Sequence, residues 1–231
     1  MAASPLSPPQ QAVIRARSVE DVALGDTIVR HRLASRLIHW SVAFFFFVCL
    51  LSGLPIWTPV FCWLAGLLGG LSVCRVIHPW AGLLFFAASG AMFLHWRREM
   101  RLERRDREWL GPKALAYLSH EERDPEVGKY NGGQKLFFFA VSLGAVGLLV
   151  SGVALWLPTR LPQGLRVTGI LLHDVTFILF AMGVVLHVYL GTAAEPGTFR
   201  AMTRGTVSKS WARLHHPRWC REVVGGERPP A

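Results

Sequence analysis

Along this chain, long uncharged stretches alternate with short, strongly basic ones. Residues 37–74 carry no Asp, Glu, Lys or Arg, and neither do residues 76–96 or 136–159; residues 167–194 carry only Asp174. The hydrocarbon core of a bilayer takes about 20 apolar residues of helix, so each stretch is long enough to span it. The first could hide two helices. Residues 37–56 make one good span, whereas residues 57–74 hold Pro59 and the glycines Gly66, Gly69 and Gly70. Lys and Arg positions decide between four spans and five. With four, five Arg precede the first span, ten Lys and Arg fall between Arg97 and Lys135, and seven follow from Arg200, all on one side; the other side receives only Arg75, Arg160 and Arg166. A fifth span would put the loop of ten on the wrong side. The positive-inside rule therefore predicts an all-α, polytopic membrane four-helix bundle with both termini cytoplasmic.

The predicted spans are residues 36–56, 78–97, 134–157 and 168–192, and residues 57–74 become a loop or interfacial helix on the outer face. Trp40, Trp57, Trp80, Trp96 and Trp156 fall near span ends, where indole rings favour the interface. Residues 1–30 form a polar, basic extension, expected to be partly disordered up to Asp26. Residues 31–222 form the four-span domain and residues 223–231 a tail. The inner loop opens with RREMRLERRDREWL, which reads as a charged helix at the inner surface or as a plain solvated connector. No internal repeat is evident.

Composition agrees: 52% of residues are hydrophobic and 17% charged, against the ~25% charged of soluble domains. A net charge of +10 would suit a nucleic-acid binder, but the charges are confined to loops, so no nucleic acid is expected. The first 36 residues show no secretory signal peptide. Four cysteines, Cys49, Cys62, Cys74 and Cys220, have no CxxC spacing and suggest neither zinc nor an iron–sulfur cluster. Cys62 and Cys74 could pair in an oxidising compartment, although their apolar neighbours favour ordinary packing.

The chemistry lies in the histidines. His39, His78, His95, His173 and His187 fall within spans or at their edges, where ionisable groups are costly and point to function. The topology places His39 and His187 near the inner side, His78 and His173 near the outer. His173 and His187 are 14 residues apart. On a helix that is about 21 Å of rise, and about 40° from the same face. One helix can thus give one axial ligand to each of two stacked cofactors. Imidazole suits iron, and helix bundles build such sites between facing helices. Bis-histidine haems have no open position and carry electrons without binding oxygen. His78 precedes Pro79, which favours a helix start and places His78 at the cap of span two. His95 points well away from the His78 face and is given a structural or propionate-contacting role. Small residues (Gly53, Gly82, Ser89, Gly90, Ser142, Gly144, Gly147, Ser151 and Gly152) permit close helix approach, as they do in any membrane bundle.

The stretches RLIHW (36–40), RVIHP (75–79), KYNGGQK (129–135), HVYL (187–190) and RLHHPRW (213–219) resemble the gamma subunit of membrane-bound respiratory formate dehydrogenase, a di-haem cytochrome b of the b556 type. The resemblance covers nearly all of residues 30–222, and KYNGGQK and HHPRW are its most specific motifs. It implies that His39 and His187 ligate an inner haem b and His78 and His173 an outer one. It further implies a quinone pocket to which Asn131, Gly133 and Gln134 contribute, the quinone being menaquinone or ubiquinone. The simpler role for Asn131 and Gln134 is to cap the third helix. The implied partners are an iron–sulfur beta subunit and, through it, a molybdenum- or tungsten-pterin catalytic subunit, in a bacterial inner membrane. No catalytic residue for formate oxidation is expected in this chain. Asp174, beside His173, is where the family leads one to expect a small or apolar residue. A sister cytochrome of a hydrogenase or thiosulfate-type reductase is the nearest alternative, and a haem-free anchor or transporter the more distant one.

Overall fold

A computed structural model of the chain describes residues 6–110, 124–157 and 159–225. Its elements are α1 (Pro8–Arg15), β1 (Val22–Leu24), β2 (Thr27–Val29), α2 (Leu33–Trp57), α3 (Cys62–Leu67), α4 (Leu71–Trp96), α5 (Gly132–Trp156), α6 (Gln163–Tyr189), α7 (Phe199–Thr203), β3 (Thr206–Ser208), α8 (Lys209–His215) and α9 (Pro217–Gly225). Among the described residues, α2, α4, α5 and α6 are long and apolar enough to cross a membrane; α6 continues through a π turn to Ala194. Large apolar side chains such as Phe44, Leu143, Leu179 and Val185 stand exposed on them, as lipid-facing residues do. Residues 58–70, between α2 and α4, supply only a 3₁₀ turn (Pro59–Phe61) and the six-residue α3, too short to span.

Helix α4 begins seven residues before the predicted start of its span. Gly69 and Gly70 adopt φ +89° and +107°, a backbone that L side chains rarely take, and the Gly70 carbonyl accepts from the Val73 and Cys74 amides to open the helix. Pro79 therefore lies inside α4, and His78 is an interior helical residue, correcting its expected place at the cap. The missing Pro79 N–H costs one helical hydrogen bond, and the surrounding turns outweigh it.

The described chain divides into two compact units. Ile38–His95 with Phe139–Val185 make one; Met1–Leu37, Trp96–Phe138 and Leu186–Ala231 make the other. In the second of these, β1, β2 and β3 form a three-stranded antiparallel sheet that pairs Ile28 with Val207. Ile28, Val207, Trp211, Ala212 and Trp219 close its apolar core. The described part of the N-terminal extension is thus structured, against the expected disorder. Its β-strands are completed by residues 206–208, a pairing that local composition cannot reveal.

One further expectation changes here. Residues 97–110 do not continue as a charged α-helix: α4 ends at Trp96 and a 3₁₀ segment runs from Arg104 to Leu110. The carboxylates of Glu103 and Asp106 pair with Lys135 at 3.4 and 2.8 Å, so tertiary ion pairs replace helical i,i+4 pairs. Trp96, the last residue of α4, is buried with its ring edge-on to His31. Cys62 is exposed and Cys74 buried, each a free thiol.

Candidate functional site

Helices α2, α4, α5 and α6 bring the rings of His78 and His173 together, edge to face. Their ring centroids lie 6.2 Å apart, with planes at 72°. An imidazole nitrogen sits roughly 2 Å from a first-row metal, and a ring centroid about 1.1 Å further back, so two axial imidazoles on one metal place their centroids roughly 6 Å apart.

The proton positions suit ligation. The Cys49 carbonyl accepts from His78 Nδ1 at 3.0 Å, which places the proton on Nδ1. Ser52 Oγ approaches the same nitrogen at 3.4 Å and donates its own proton to the Val48 carbonyl. On the other side, Ser151 Oγ lies 2.9 Å from His173 Nδ1 and donates to the Gly147 carbonyl, so the hydroxyl accepts from the ring. Each imidazole thereby keeps a lone pair on Nε2. Outer hydrogen bonds of this kind orient metal-bound histidines and raise their basicity.

Gly53 makes room for the His78 ring, and Gly152 lies in ordinary contact distance of His173. A Cβ on Gly53 would stand 2.7 Å from His78 Cε1, and one on Gly152 would stand 3.5 Å from His173 Cε1. Gly82, one turn beyond His78 on α4, has no atom within 4 Å of such a Cβ. These residues fit an iron seated between two imidazoles in a flat macrocycle. Among the described residues, no cluster of His, Cys, Asp and Glu could hold a bare metal ion.

His39 and His187 fall in different compact units. His39 is half-buried on α2, its ring edge-on to Trp40 at 5.2 Å. His187, in the last turns of α6, is stacked on Phe137 at 4.8 Å and 15°. His95 is half-buried near the end of α4 and Asp174 half-buried on α6.

The KYNGGQK segment opens α5 with a reciprocal cap. Asn131 Oδ1 accepts from the Gln134 amide at 2.8 Å, and Gln134 Oε1 accepts from the Asn131 amide at 3.0 Å. This is a capping box with Asn in the usual Ser or Thr position. Both side-chain oxygens are engaged, so the Asn131 and Gln134 NH₂ groups are what these residues can offer a ligand. Gly133 lies half-buried in the first turn.

The two most specific motifs are joined in one scaffold. His216 Nδ1 donates to the Gly128 carbonyl at 2.7 Å, and the Arg218 amide donates to the Val127 carbonyl. Burial, together with the Arg30 charge, pushes the His216 imidazole well below its ordinary value and keeps it neutral. The Arg30 guanidinium lies over the rings of Tyr130, Trp211 and Trp219 at 5.5, 5.1 and 5.0 Å. Beside it, Lys129 meets Glu20, Asp21 and Glu99 at 2.8, 3.1 and 3.3 Å. Burial works to lower the Lys129 value, but the charges of the three carboxylates outweigh it, raise the value and keep the ammonium charged. Sequence reasoning missed Ser52, Phe137, Tyr130 and Arg30, and treated Ser151 and Gly53 only as small residues.

The sequence model of the prokaryotic cytochrome b561 family matches residues 30–205. The chain is 32% identical over 203 residues to the cytochrome b556(Fdn) subunit of the nitrate-inducible formate dehydrogenase of Escherichia coli K12, covering 87% of this chain and 93% of that protein. It is 35% identical over 201 residues to the cytochrome b556(fdo) subunit of formate dehydrogenase from the same strain, covering 86% and 94%. It is 34% identical over 203 residues to the formate dehydrogenase cytochrome b556 subunit of Haemophilus influenzae, covering 85% and 84%.

Proposed function

The chain belongs to the prokaryotic cytochrome b561 family, and from that membership we propose that it is the di-haem cytochrome b subunit of a membrane-bound formate dehydrogenase. His78 and His173 hold an outer haem b, and His39 and His187 an inner one. The haems, when bound, supply one-electron transfer between an iron–sulfur subunit at the outer side and quinone at the inner. The chain's own residues orient and enclose. Ser151 and the Cys49 carbonyl fix the proton on Nδ1 of each outer imidazole, so that Nε2 faces the metal. At the inner side, the NH₂ groups of Asn131 and Gln134 donate to a quinone carbonyl, and Gly133 lets backbone approach the flat ring. Protons for the quinone come from the cytoplasm. Formate oxidation belongs to a molybdenum- or tungsten-pterin subunit that this chain anchors through the iron–sulfur subunit. The protein sits in a bacterial inner membrane, and the excess of Lys and Arg in the loops assigned to the inner side supports cytoplasmic termini.

The observation that carries this reading is the His78–His173 pair, spaced for one metal and held by its Nδ1 atoms. Its test is haem counting on His173→Ala. The purified wild-type protein should carry two haems per chain and give a sharp b-type α band in a reduced-minus-oxidised spectrum. The variant should lose one haem and keep the one held by His39 and His187. Two fully ligated haems in the variant would remove the assignment.

A further inference from the structure

Helices α2, α4 and α6 each carry a proposed haem ligand, and each carries a phenylalanine seven residues further along: Phe46 after His39, Phe85 after His78, Phe180 after His173. Phe180 is also seven residues before His187, the midpoint of α6 between its two ligands. Seven residues of helix rise about 10.5 Å, so the three rings share a level midway between the two ligand levels. They touch there. Phe46 stacks on Phe180 at 5.3 Å and 27°, Phe85 meets Phe180 edge-on at 5.6 Å, and Phe46 lies 6.2 Å from Phe85. All three are less than a tenth exposed.

Helix α5 carries no proposed ligand but keeps the same step. Phe137 stacks on His187, Gly144 lies against Phe180, and Ser151 holds His173. Each contact is seven residues further along α5 and seven back along α6. A Cβ on Gly144 would come 2.8 Å from Phe180 Cδ2, so the glycine is a slot for that ring. Membrane helices usually meet through small residues; here three large rings converge from the three ligand-bearing helices, and the small residue serves to admit one of them.

We propose that Phe46, Phe85 and Phe180 form an aromatic partition between the two haem sites, which fills the interval and keeps it dry; this rests on the di-haem reading above. A dry surround disfavours the more positively charged ferric state and so holds haem potentials up. The test is a redox titration of the purified complex, read with haem content. Phe180→Ala should keep two haems per chain and shift the midpoint potential of one or both negatively, because water enters the interval. Phe180→Leu, which refills the space with an apolar side chain, should recover most of the shift. Gly144→Ala, which crowds the ring without removing it, should also move a potential at unchanged haem number. Wild-type potentials in Phe180→Ala with both haems present would overturn the partition. Should that variant not retain haem, Phe180→Val and Phe46→Ala carry the same titration, and wild-type potentials in both overturn it equally. A wild-type complex lacking two b haems would instead sink the di-haem reading, before any variant is made.

Discussion

A ligand histidine is only as good as the atoms that aim it. His78 is aimed by a carbonyl and a glycine: Cys49 O receives its Nδ1 proton, and Gly53 leaves the space its ring fills. A methyl group at position 53 would sit 2.7 Å from His78 Cε1, nearer than real contacts allow, so the ring must swing out of register with His173. Loss of such outer-shell support lowers metal affinity about 10–100-fold. Gly53→Ala is therefore expected to purify with the outer haem depleted and the inner one retained. Gly164→Ala, whose added Cβ meets no atom within 4 Å, should bind both. Haem per chain measured on both proteins checks this, and full occupancy in Gly53→Ala would show that the ring has another place to go. The histidines themselves were legible in the sequence because an ionisable residue at membrane depth is rare and costly. Ser52 and Gly53 were not, since their role depends on His78, 26 and 25 residues away on another helix.

Helix α5 poses a sharper question, because its first turn serves two masters. Asn131 and Gln134 cap it through their side-chain oxygens, and a quinone would need their NH₂ groups. Asn131→Asp and Gln134→Glu separate the two roles. Each keeps an oxygen that accepts the partner amide, and a negative charge at a helix N-terminus is favourable. Each removes the NH₂ donor. Loss of a neutral hydrogen bond costs about 1 kcal/mol net, and more where the partner stays buried, so quinone reduction should slow several-fold or more. Formate oxidation with an artificial dye and the content of both haems should stay normal. If quinone turnover is unchanged in both variants and in the double variant, Asn131 and Gln134 only cap α5. Gln134→Leu removes cap and donor together and should lower quinone turnover further, with some loss of helix stability. The existence of all four long helices could be read from charge-free length, and the Asn131–Gln134 cap that opens α5 at Gly132 was legible too. The start of α4 was not, because the Gly69–Gly70 turn carries it back to Leu71.

At the scale of the molecule, local pattern reaches the membrane helices and stops at the polar scaffold. A three-residue strand such as Thr27–Val29 has no signature of its own; it exists because Thr206–Ser208 pairs with it across most of the chain's length. Arg30 likewise looks like one more basic residue until Tyr130, Trp211 and Trp219 surround it. Orientation, by contrast, rests wholly on where Lys and Arg fall, and cysteines already present can test it. Cys62 is exposed, on the segment assigned to the outer face. Cys220 is buried in the C-terminal core, where burial also pushes its thiol up and leaves less reactive thiolate. A membrane-impermeant thiol reagent should therefore label Cys62 in intact spheroplasts, and Cys62→Ser should abolish that signal. Cys220 should label from neither side until the protein is denatured. Labelling of Cys62 confined to inverted vesicles would reverse the orientation. It would also exchange the outer and inner assignments of the two histidine pairs, and put the Asn131–Gln134 cap on the side away from the cytoplasmic proton supply.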